Sequence, residues 1–473
     1  MAQADSDGDW ALAEFGAAEL GDARRTARLV ELARQLAEHP EASLPSALEN
    51  AAALKAAYRF FDNAGIAHDK MLAAHVRSSV ERMRGQRVIL AVQDTTFIDY
   101  SGHPDTAGLG PLHPRGGWGM ICHGTLAFTP ERLPLGVLGL RVWARDPQKP
   151  KRRATRRSRA IEHKESYKWL DSVQALWALK PALPGSRLVS VADREADVYE
   201  FFTEAQTLGV DVLVRAAWNR NVQGPHTKVH AALAAAPVLG HKELALPARS
   251  RRKARSAKLE IRACPLLLAA PENGSARGCA PIALWGVWAY EPRPPAGSDP
   301  LDWMLLTSVA VTSGEQALER LDWYAVRWGI ERWHKVLKSG CRIEARQLES
   351  FERLQRLLTL YAVIAWRILH ATMLARLVPE MPCTSILNED EWQTLYCRIH
   401  HTPTPPATAP PLKQAIRWIA QLGGFIGRVR DGEPGTQTLW QGFQKLIPMT
   451  EMYRIMKPQQ PLSPSSSKRK KCG

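Results

Sequence analysis

An α/β layered fold flanked by helical segments is what the sequence predicts, and three observations carry it. Short apolar runs with β character, RVILAVQD (87–94), RLVSVAD (187–193), VDVLVRAAW (210–218) and WMLLTSVAV (303–311), alternate with helical patterns at KESYKWLDSVQALWAL (164–179) and VYEFFTEA (198–205). Two further β-rich runs, WGMICHGTLAFT (118–129) and LPLGVLGLRVW (133–143), are set off by Gly- and Pro-rich turns. The ends of the chain, residues 1–75 and 346–460, read as helical instead.

The N-terminal segment begins with LGDARRTARLVELARQLAEHP (20–40), where Asp22 reads as an N-cap. Leu29, Ala33 and Leu36 form an i, i+4, i+7 core stripe there, and Arg24 and Arg28 fall on another side. A core of residues 76–345 follows, in which residues 219–300 lose the helical period and read as a β-rich insertion. That insertion carries a basic cluster, RSRRKARSAK (249–258), and a Pro-rich exit, EPRPPAGSDP (291–300). Beyond it the chain reads as helical to about residue 381. It then passes a linker, HHTPTPPATAPPL (400–412), and two short helices near 413–422 and 437–446, and ends in a basic tail, 461–473.

With 473 residues, 45% hydrophobic and 16 tryptophans among them, the chain is globular rather than disordered. A formal charge of +16 and a pI near 9.7 point to a polyanionic partner, nucleic acid first and an anionic membrane surface second. The seven cysteines are scattered, with no C-x-x-C pair, so they indicate neither a disulfide framework nor a zinc ribbon; a reducing cytoplasm fits them. The N-terminus, MAQADSDGDW, is too acidic for a secretory signal. The most apolar helix candidate, residues 357–366 between Arg356 and Arg367, is expected to be too short to span a bilayer, so a soluble protein is expected. No P-loop, H-E-x-x-H or G-x-G-x-x-G motif is present, which argues against nucleotide-driven chemistry.

Asp94 ends RVILAVQD and Asp193 ends RLVSVAD, and α/β sheets gather ligands beyond the carboxyl ends of their strands. Each aspartate alone also reads as a turn or N-cap residue. In YAVRWGIERWHKVLKSG (324–340), helical spacing sets Tyr324, Arg327, Glu331 and Lys338 on one seam, opposite Val326, Ile330, Trp333, Val336 and Leu337. Taken alone, the seam also reads as a solvated face with an ordinary Arg327–Glu331 surface pair.

Because this helix follows WMLLTSV, it is expected to return across the same sheet and bring Glu331 to the two aspartates. Three carboxylates make an all-oxygen site suited to Mg²⁺ or Mn²⁺, whose charge would offset their repulsion. Two ions about 3.5 to 4 Å apart would clamp the attacking and leaving oxygens of a phosphodiester. Glu195 and Asp197 of DREAD (193–197) are rival ligands. Asp193 is preferred because it ends the strand, whereas the other two are expected to begin the next helix. A strongly basic chain with such a cluster reads as a nuclease or a strand-transfer enzyme.

LGDARRTARLV (20–30), AYRFFDN (57–63), QDTT (93–96), KESYKWL (164–170), DREAD, PLDWMLLTS (300–308), YAVRWGIERWHKVLK (324–338) and, weakly, LGGFIG (422–427) carry a resemblance. The chain resembles the DDE transposases of the insertion-sequence-four family, transposon-five type. The resemblance implies an RNase H-like catalytic core between an end-binding domain at 1–75 and a dimerisation region at 346–460. It implies Asp94, Asp193 and Glu331 as the catalytic, metal-binding triad, with Mg²⁺ (Mn²⁺ substituting), two ions per site.

Tyr324, Arg327 and Lys338 are implied to contact the transposon end, and Arg24, Arg25 and Arg28 to belong to the end-binding helices. Trp303 matches a tryptophan that receives an extruded base, although a core-strand role fits it also. Arg215 matches an arginine near the DNA end, or is an edge-strand charge; Trp328 faces DNA or packs. The implied reaction frees a 3′-hydroxyl by water attack, closes and reopens a hairpin, and joins 3′-ends to target DNA. The implied partners are transposon-end and target duplexes and a second copy in a synaptic homodimer, each site working on the end bound mainly by its partner. A bacterial, cytoplasmic, nucleoid-associated setting is implied, with no membrane.

Two departures stand out. Ala217 replaces a lysine of the transposon-five enzyme, and RDPQKPKRRATRRSRA (145–160) is an unusually arginine-rich loop, read as a nonspecific DNA contact or a solvated loop. Two other readings remain: a catalytically silent DNA-binding inhibitor or decayed copy, and an RNase H-like nuclease without strand transfer. The second would not need the hairpin set Trp303, Tyr324 and Arg327.

Overall fold

The computed structural model describes residues 9–48, 50–148, 161–246, 254–274, 276–428 and 431–456, which divide into two compact units, 9–377 and 378 onward. Most of the 145–160 loop, part of the 249–258 cluster and the basic tail lie outside the described residues.

The first unit starts with five helices, α1 (Trp10–Phe15), α2 (Ala23–Glu38), α3 (Leu44–Ala47), α4 (Ala51–Asp62) and α5 (His68–Met83). Asp22 caps α2 as expected, its Oδ1 accepting from the Arg24 N–H at 2.9 Å, and Leu29, Ala33 and Leu36 are fully buried. The buried Glu14 carboxylate ties α1 to α5 by accepting from His75 Nδ1 at 2.5 Å and Arg82 Nη1 at 2.6 Å.

The described strands then form one eleven-stranded sheet: β1 (Val88–Asp99), β2 (Gly110–His113), β3 (Gly116–Phe128), β4 (Pro134–Trp143), β5 (Arg187–Ala192), β6 (Asp211–Arg215), β7 (Val222–Gln223), β8 (Val238–Leu246), β9 (Arg255–Leu268), β10 (Ile282–Tyr290) and β11 (Asp302–Thr307). The main order is β2-β3-β1-β5-β6-β11-β10-β9-β7, with β4 beside β3 and β8 beside β9. Among the described strands, only β1–β5 and β5–β6 pair in parallel. Among the described residues of 219–300, β7 to β10 lengthen the core sheet, joined to it through β11.

Five more helices accompany the sheet: α6 (Tyr167–Leu179), α7 (Tyr199–Leu208), α8 (Val229–Ala235), α9 (Gly314–Ala325) and α10 (Trp328–Lys335). Strand alternation decides which face each covers. Ile89 and Ala91 join Trp169 and Val173 of α6 and Phe202 of α7 in one buried cluster. The opposite face receives α10. A β-carbon on Gly329 would lie 2.7 Å from the Phe128 ring, and one on Gly124 would lie 3.0 Å from Trp333, so two glycines let helix and sheet close up.

The 357–366 apolar run is the middle of a 27-residue helix, α11 (Phe351–Leu377). The arginines expected to bound it do not end it. Arg356 is buried and donates to the carbonyls of Ile66 (2.6 Å) and Phe61 (2.8 Å), and Arg367 lies 4.9 Å from the Trp10 ring. By length and composition α11 could cross a membrane, but 83% of its most apolar window is buried inside the fold, as in a core helix.

The second unit contains α12 (Glu389–His400), α13 (Leu412–Leu422) and α14 (Thr436–Met456). The sequence reading passed over α12, although its capping box, Asn388 with Glu391, is visible in the sequence. α13 and α14 cross backbone to backbone: a β-carbon on Gly442 would overlap the Ile419 carbonyl oxygen, and one on Gly423 that of Thr438. Gly442→Ala is therefore expected to destabilise this unit by about 3 kcal/mol. A thermal melt checks it; an unchanged Tm would show that the helices can separate freely.

Candidate active site

The sheet register brings the two aspartates together. β1 and β5 pair from Val88 opposite Arg187 to Val92 opposite Val191, so two residues later Asp94 and Asp193 emerge side by side. Asp193 follows the last residue of β5, as expected. Asp94 lies in mid-strand, because β3 goes on pairing with β1 as far as Asp99 opposite Gly119 after β5 has stopped. Both also fill the local roles that compete with a ligand role. Asp94 Oδ1 accepts from the Thr95 N–H and Asp193 Oδ1 from the Glu195 N–H, each at 2.8 Å.

The third carboxylate arrives on a helix that is not continuous. Tyr324 lies in α9 and Glu331 in α10, separated by a turn whose bonds tighten to i→i+3: Arg327 N–H to Tyr324 O at 3.1 Å and Gly329 N–H to Val326 O at 2.8 Å. Lys338 lies beyond, in a π-turn (Val336–Gly340) closed by the Cys341 N–H on Val336 O at 2.8 Å. The apolar side read from the sequence survives this break: Val326, Ile330, Trp333, Val336 and Leu337 are all buried. Lys338 pairs with Glu344 at 2.9 Å.

Arg327 holds the centre. Its Nη2 lies 2.5 Å from Glu331 Oε1 and its Nη1 3.6 Å from Asp94 Oδ2, with only 12% of its side chain exposed. The Arg327–Glu331 pair is thus a real ion pair, though buried on one side and shared with Asp94 rather than a surface bridge. Burial works against the Arg327 charge, but Tyr324, Glu331 and Asp94 outweigh it and raise its pKa.

Burial, reinforced by Asp193 and Glu331 against a partial offset from Arg327, pushes the Asp94 carboxyl up to about 6. Asp193 is raised by burial and by Glu195. Three hard-oxygen donors, two of them strained by burial and like charge, are the chemistry a hard divalent cation suits. Among the described residues, however, no three such side chains already converge on a single point, since the Arg327 guanidinium lies between Asp94 and Glu331.

The rivals in DREAD have other work. Glu195 pairs with Lys168 at 3.0 Å, and the fully buried Asp197 accepts from the N–H groups of Ala217 (2.7 Å) and Trp218 (3.1 Å) and from Arg220 Nε (2.5 Å). Neither begins the next α-helix: Glu195 lies in a 3₁₀ turn, and Asp197 precedes the N-cap of α7.

Tyr324 is buried, which raises its phenol, and it interacts with the Arg327 and Arg215 guanidiniums. Arg215 ends β6 and donates from Nη2 to Asp302 O at 3.1 Å, while its Nε is buried without a partner. Trp303 is part-buried in β11 opposite Ala289, and Trp328 is 47% exposed with the Arg327 guanidinium 5.6 Å from its ring. On α2, Arg24 pairs with its own cap Asp22, Arg25 donates to Leu20 O at 3.0 Å, and Arg28 is half-buried.

Two site residues escaped the sequence reading. His334, one turn after Glu331, places Nδ1 4.0 Å from Asp94 Oδ2, and burial holds its pKa down to about 3. Lys168, buried beside Trp169, pairs with Glu195 and acts on Asp193. A lysine next to the apolar pair Trp169–Leu170 was the available signal.

Comparison with protein-family models gives three matches in chain order. Residues 7–66 match a transposase DNA-binding model, residues 152–367 a transposase DDE domain, and residues 363–459 a transposase Tn5 dimerisation domain. Asp193 and Glu331 fall within the DDE match and Asp94 before it.

Proposed function

Since the chain belongs to the Tn5-type DDE transposases, DNA-binding and metal-dependent enzymes with endonuclease and strand-transfer activity, we propose a cut-and-paste reaction at Asp94, Asp193 and Glu331 that passes through a hairpin. The β1–β5 register that sets Asp94 beside Asp193, below the helix carrying Glu331, is the observation that carries it. These three residues would hold the divalent ions, two Mg²⁺ with Mn²⁺ as substitute. Bound there, the metal supplies neutralising charge and an activated oxygen nucleophile.

The chain's own residues position the DNA. Arg327, Tyr324 and Arg215 form a cationic and phenolic wall for the phosphates of the transposon end, extended by Lys338. Arg327, now paired with Glu331, would exchange that partner for a phosphate and leave the Glu331 carboxylate free. Trp303 receives a base extruded as the freed 3′-hydroxyl attacks the opposite strand, and Trp328 borders the same strand. Water then reopens the hairpin, and the 3′-ends join target DNA. Arg24, Arg25 and Arg28 grip the terminal repeat, and two copies pair the ends in a synaptic complex in the cytoplasm. The boundaries that fit this division of labour are 1–75, 76–345 and 346–460.

Incubating the protein with Mg²⁺ and DNA bearing the inverted repeats that flank its gene tests this reading. Excised and joined products are expected. Binding without cutting would make the chain a silent DNA-binding protein, and cutting without hairpins or joining a plain nuclease. Trp303→Ala is expected to lower the ratio of hairpin to nicked product about tenfold or more, since stacking one base contributes about 1 to 3 kcal/mol. An unchanged ratio on a denaturing gel would return Trp303 to a packing role.

A further inference from the structure

We propose that His334 is a positioning residue for Asp94, its Nδ1–H turned toward the Asp94 carboxylate so that the carboxylate is held at one angle for a divalent ion; the proposal rests on the reading of Asp94, Asp193 and Glu331 as a metal site.

Only 8% of His334 is exposed, and its Nε2 is buried without a partner. A leucine or phenylalanine would fill this place between α10 and the sheet without leaving a polar atom unsatisfied, so a histidine here needs a reason. Its other nitrogen supplies one, since Nδ1 lies 4.0 Å from Asp94 Oδ2. Arg327, Glu331 and His334 follow one another at steps of four and three, so one side of α10 turns all three toward Asp94. The imidazole is also held in place from behind. The Trp333 ring lies 5.1 Å from it, and Trp333 is anchored by its Nε1–H on the Ala362 carbonyl at 2.9 Å.

The two oxygens of Asp94 are treated differently. Oδ1 accepts from the Thr95 N–H at 2.8 Å, and the Thr95 hydroxyl in turn bonds His123 Nδ1 at 2.9 Å. Oδ2 has Arg327 Nη1 at 3.6 Å and His334 Nδ1 at 4.0 Å, both just beyond hydrogen-bond length. Arg327 also serves Glu331, and in the proposed reaction it turns to a phosphate, which leaves His334 as the donor beside Oδ2. A carboxylate pinned by one oxygen can still rock about its last bond. A donor beside the second oxygen removes that freedom, and carboxylates that ligate metals are themselves hydrogen-bonded to this end. A neutral imidazole carries a single N–H, so the role fixes the tautomer: the proton sits on Nδ1, and the buried Nε2 keeps only a lone pair.

Two measurements on the full chain test this. With chelator present, the long-range ¹⁵N–¹H spectrum of the histidine-labelled chain should show the His334 proton on Nδ1, the His334 signals being identified by their loss in His334→Asn. A proton on Nε2 would overturn the proposal. Mn²⁺ binding is then followed by electron paramagnetic resonance of the free ion, and the portion lost in Asp94→Asn belongs to this site. His334→Leu should weaken that portion by about 10- to 100-fold. His334→Asn, whose side-chain N–H stands where Nδ1 does, should restore most of it, and His334→Gln, which carries its amide out to the position of Nε2, should not. Unchanged Mn²⁺ affinity in His334→Leu, or equal recovery in the asparagine and glutamine variants, would reduce His334 to a packing residue and overturn the proposal. If Asp94→Asn removes no Mn²⁺ binding, the reading of the site as a metal centre fails instead, while the tautomer still decides whether His334 meets Asp94 as a donor.

Discussion

Glu331→Gln is expected to bind transposon-end DNA about as well as the parent and to lose cleavage by about 10³-fold or more, the loss that follows when a charge aimed at the reacting phosphate is removed. The amide keeps the size of the carboxylate and can still accept from Arg327 Nη2, so the α10 turn and its packing through Ile330 and Trp333 stay in place. What disappears is one negative charge of three. Mobility shift with end DNA and single-turnover cleavage measured side by side separate the two effects. Cleavage at the parent rate would remove Glu331 from the reaction, and loss of binding with cleavage would make its role structural.

Asp94→Asn is expected to act in opposite directions on stability and activity. The Asp94 carboxyl rises from 3.8 to about 6, chiefly through burial and then through Asp193 and Glu331. A raised carboxyl binds its proton more tightly in the folded state. Its contribution is therefore complete below about pH 4 and is lost as pH climbs through about 6. At pH 7 the ionised group costs about 3 kcal/mol relative to the unfolded chain. The asparagine variant avoids that cost, so with chelator present it should melt higher than the parent at pH 7. The gap should shrink as pH is lowered toward 4, while cleavage is lost at every pH. A parent that is the more stable of the two at pH 7 would contradict this account, and would mean that Arg327 compensates Asp94 fully.

Much of this was legible in the residues. The strand runs at 87–94, 118–129, 133–143, 187–193 and 303–311 each contain a strand, the last only as far as Thr307, because β-branched and apolar residues fit a pleated surface whatever its neighbours. The Asp22 cap and the Leu29, Ala33, Leu36 stripe are local features and held for that reason.

What failed was whatever depended on a distant partner. Asp94 looks like a strand end until β3 is known to continue beside it. Arg356 looks like a helix boundary until the carbonyls of Phe61 and Ile66 are seen to satisfy it inside the core. The stripe from Tyr324 to Lys338 presumed one regular helix, but an i→i+3 turn and a π-turn divide it, and helical spacing cannot foresee a change of pitch. The seam still gave the right neighbour for Glu331, since Arg327 pairs with it four residues on.

The single sheet running from β2 through β1, β5, β6 and β11 to β9 has a mechanical consequence. Arg215, Trp303 and the two aspartates sit on strands, or just past strand ends, of one hydrogen-bonded plate, so they cannot shift independently to follow a duplex. On the proposed roles of these residues, the DNA would then do the bending. Its deformation energy then becomes a selection term, and end sequences with easily unstacked pyrimidine–purine steps near the cut should be processed faster even at base pairs that no side chain touches.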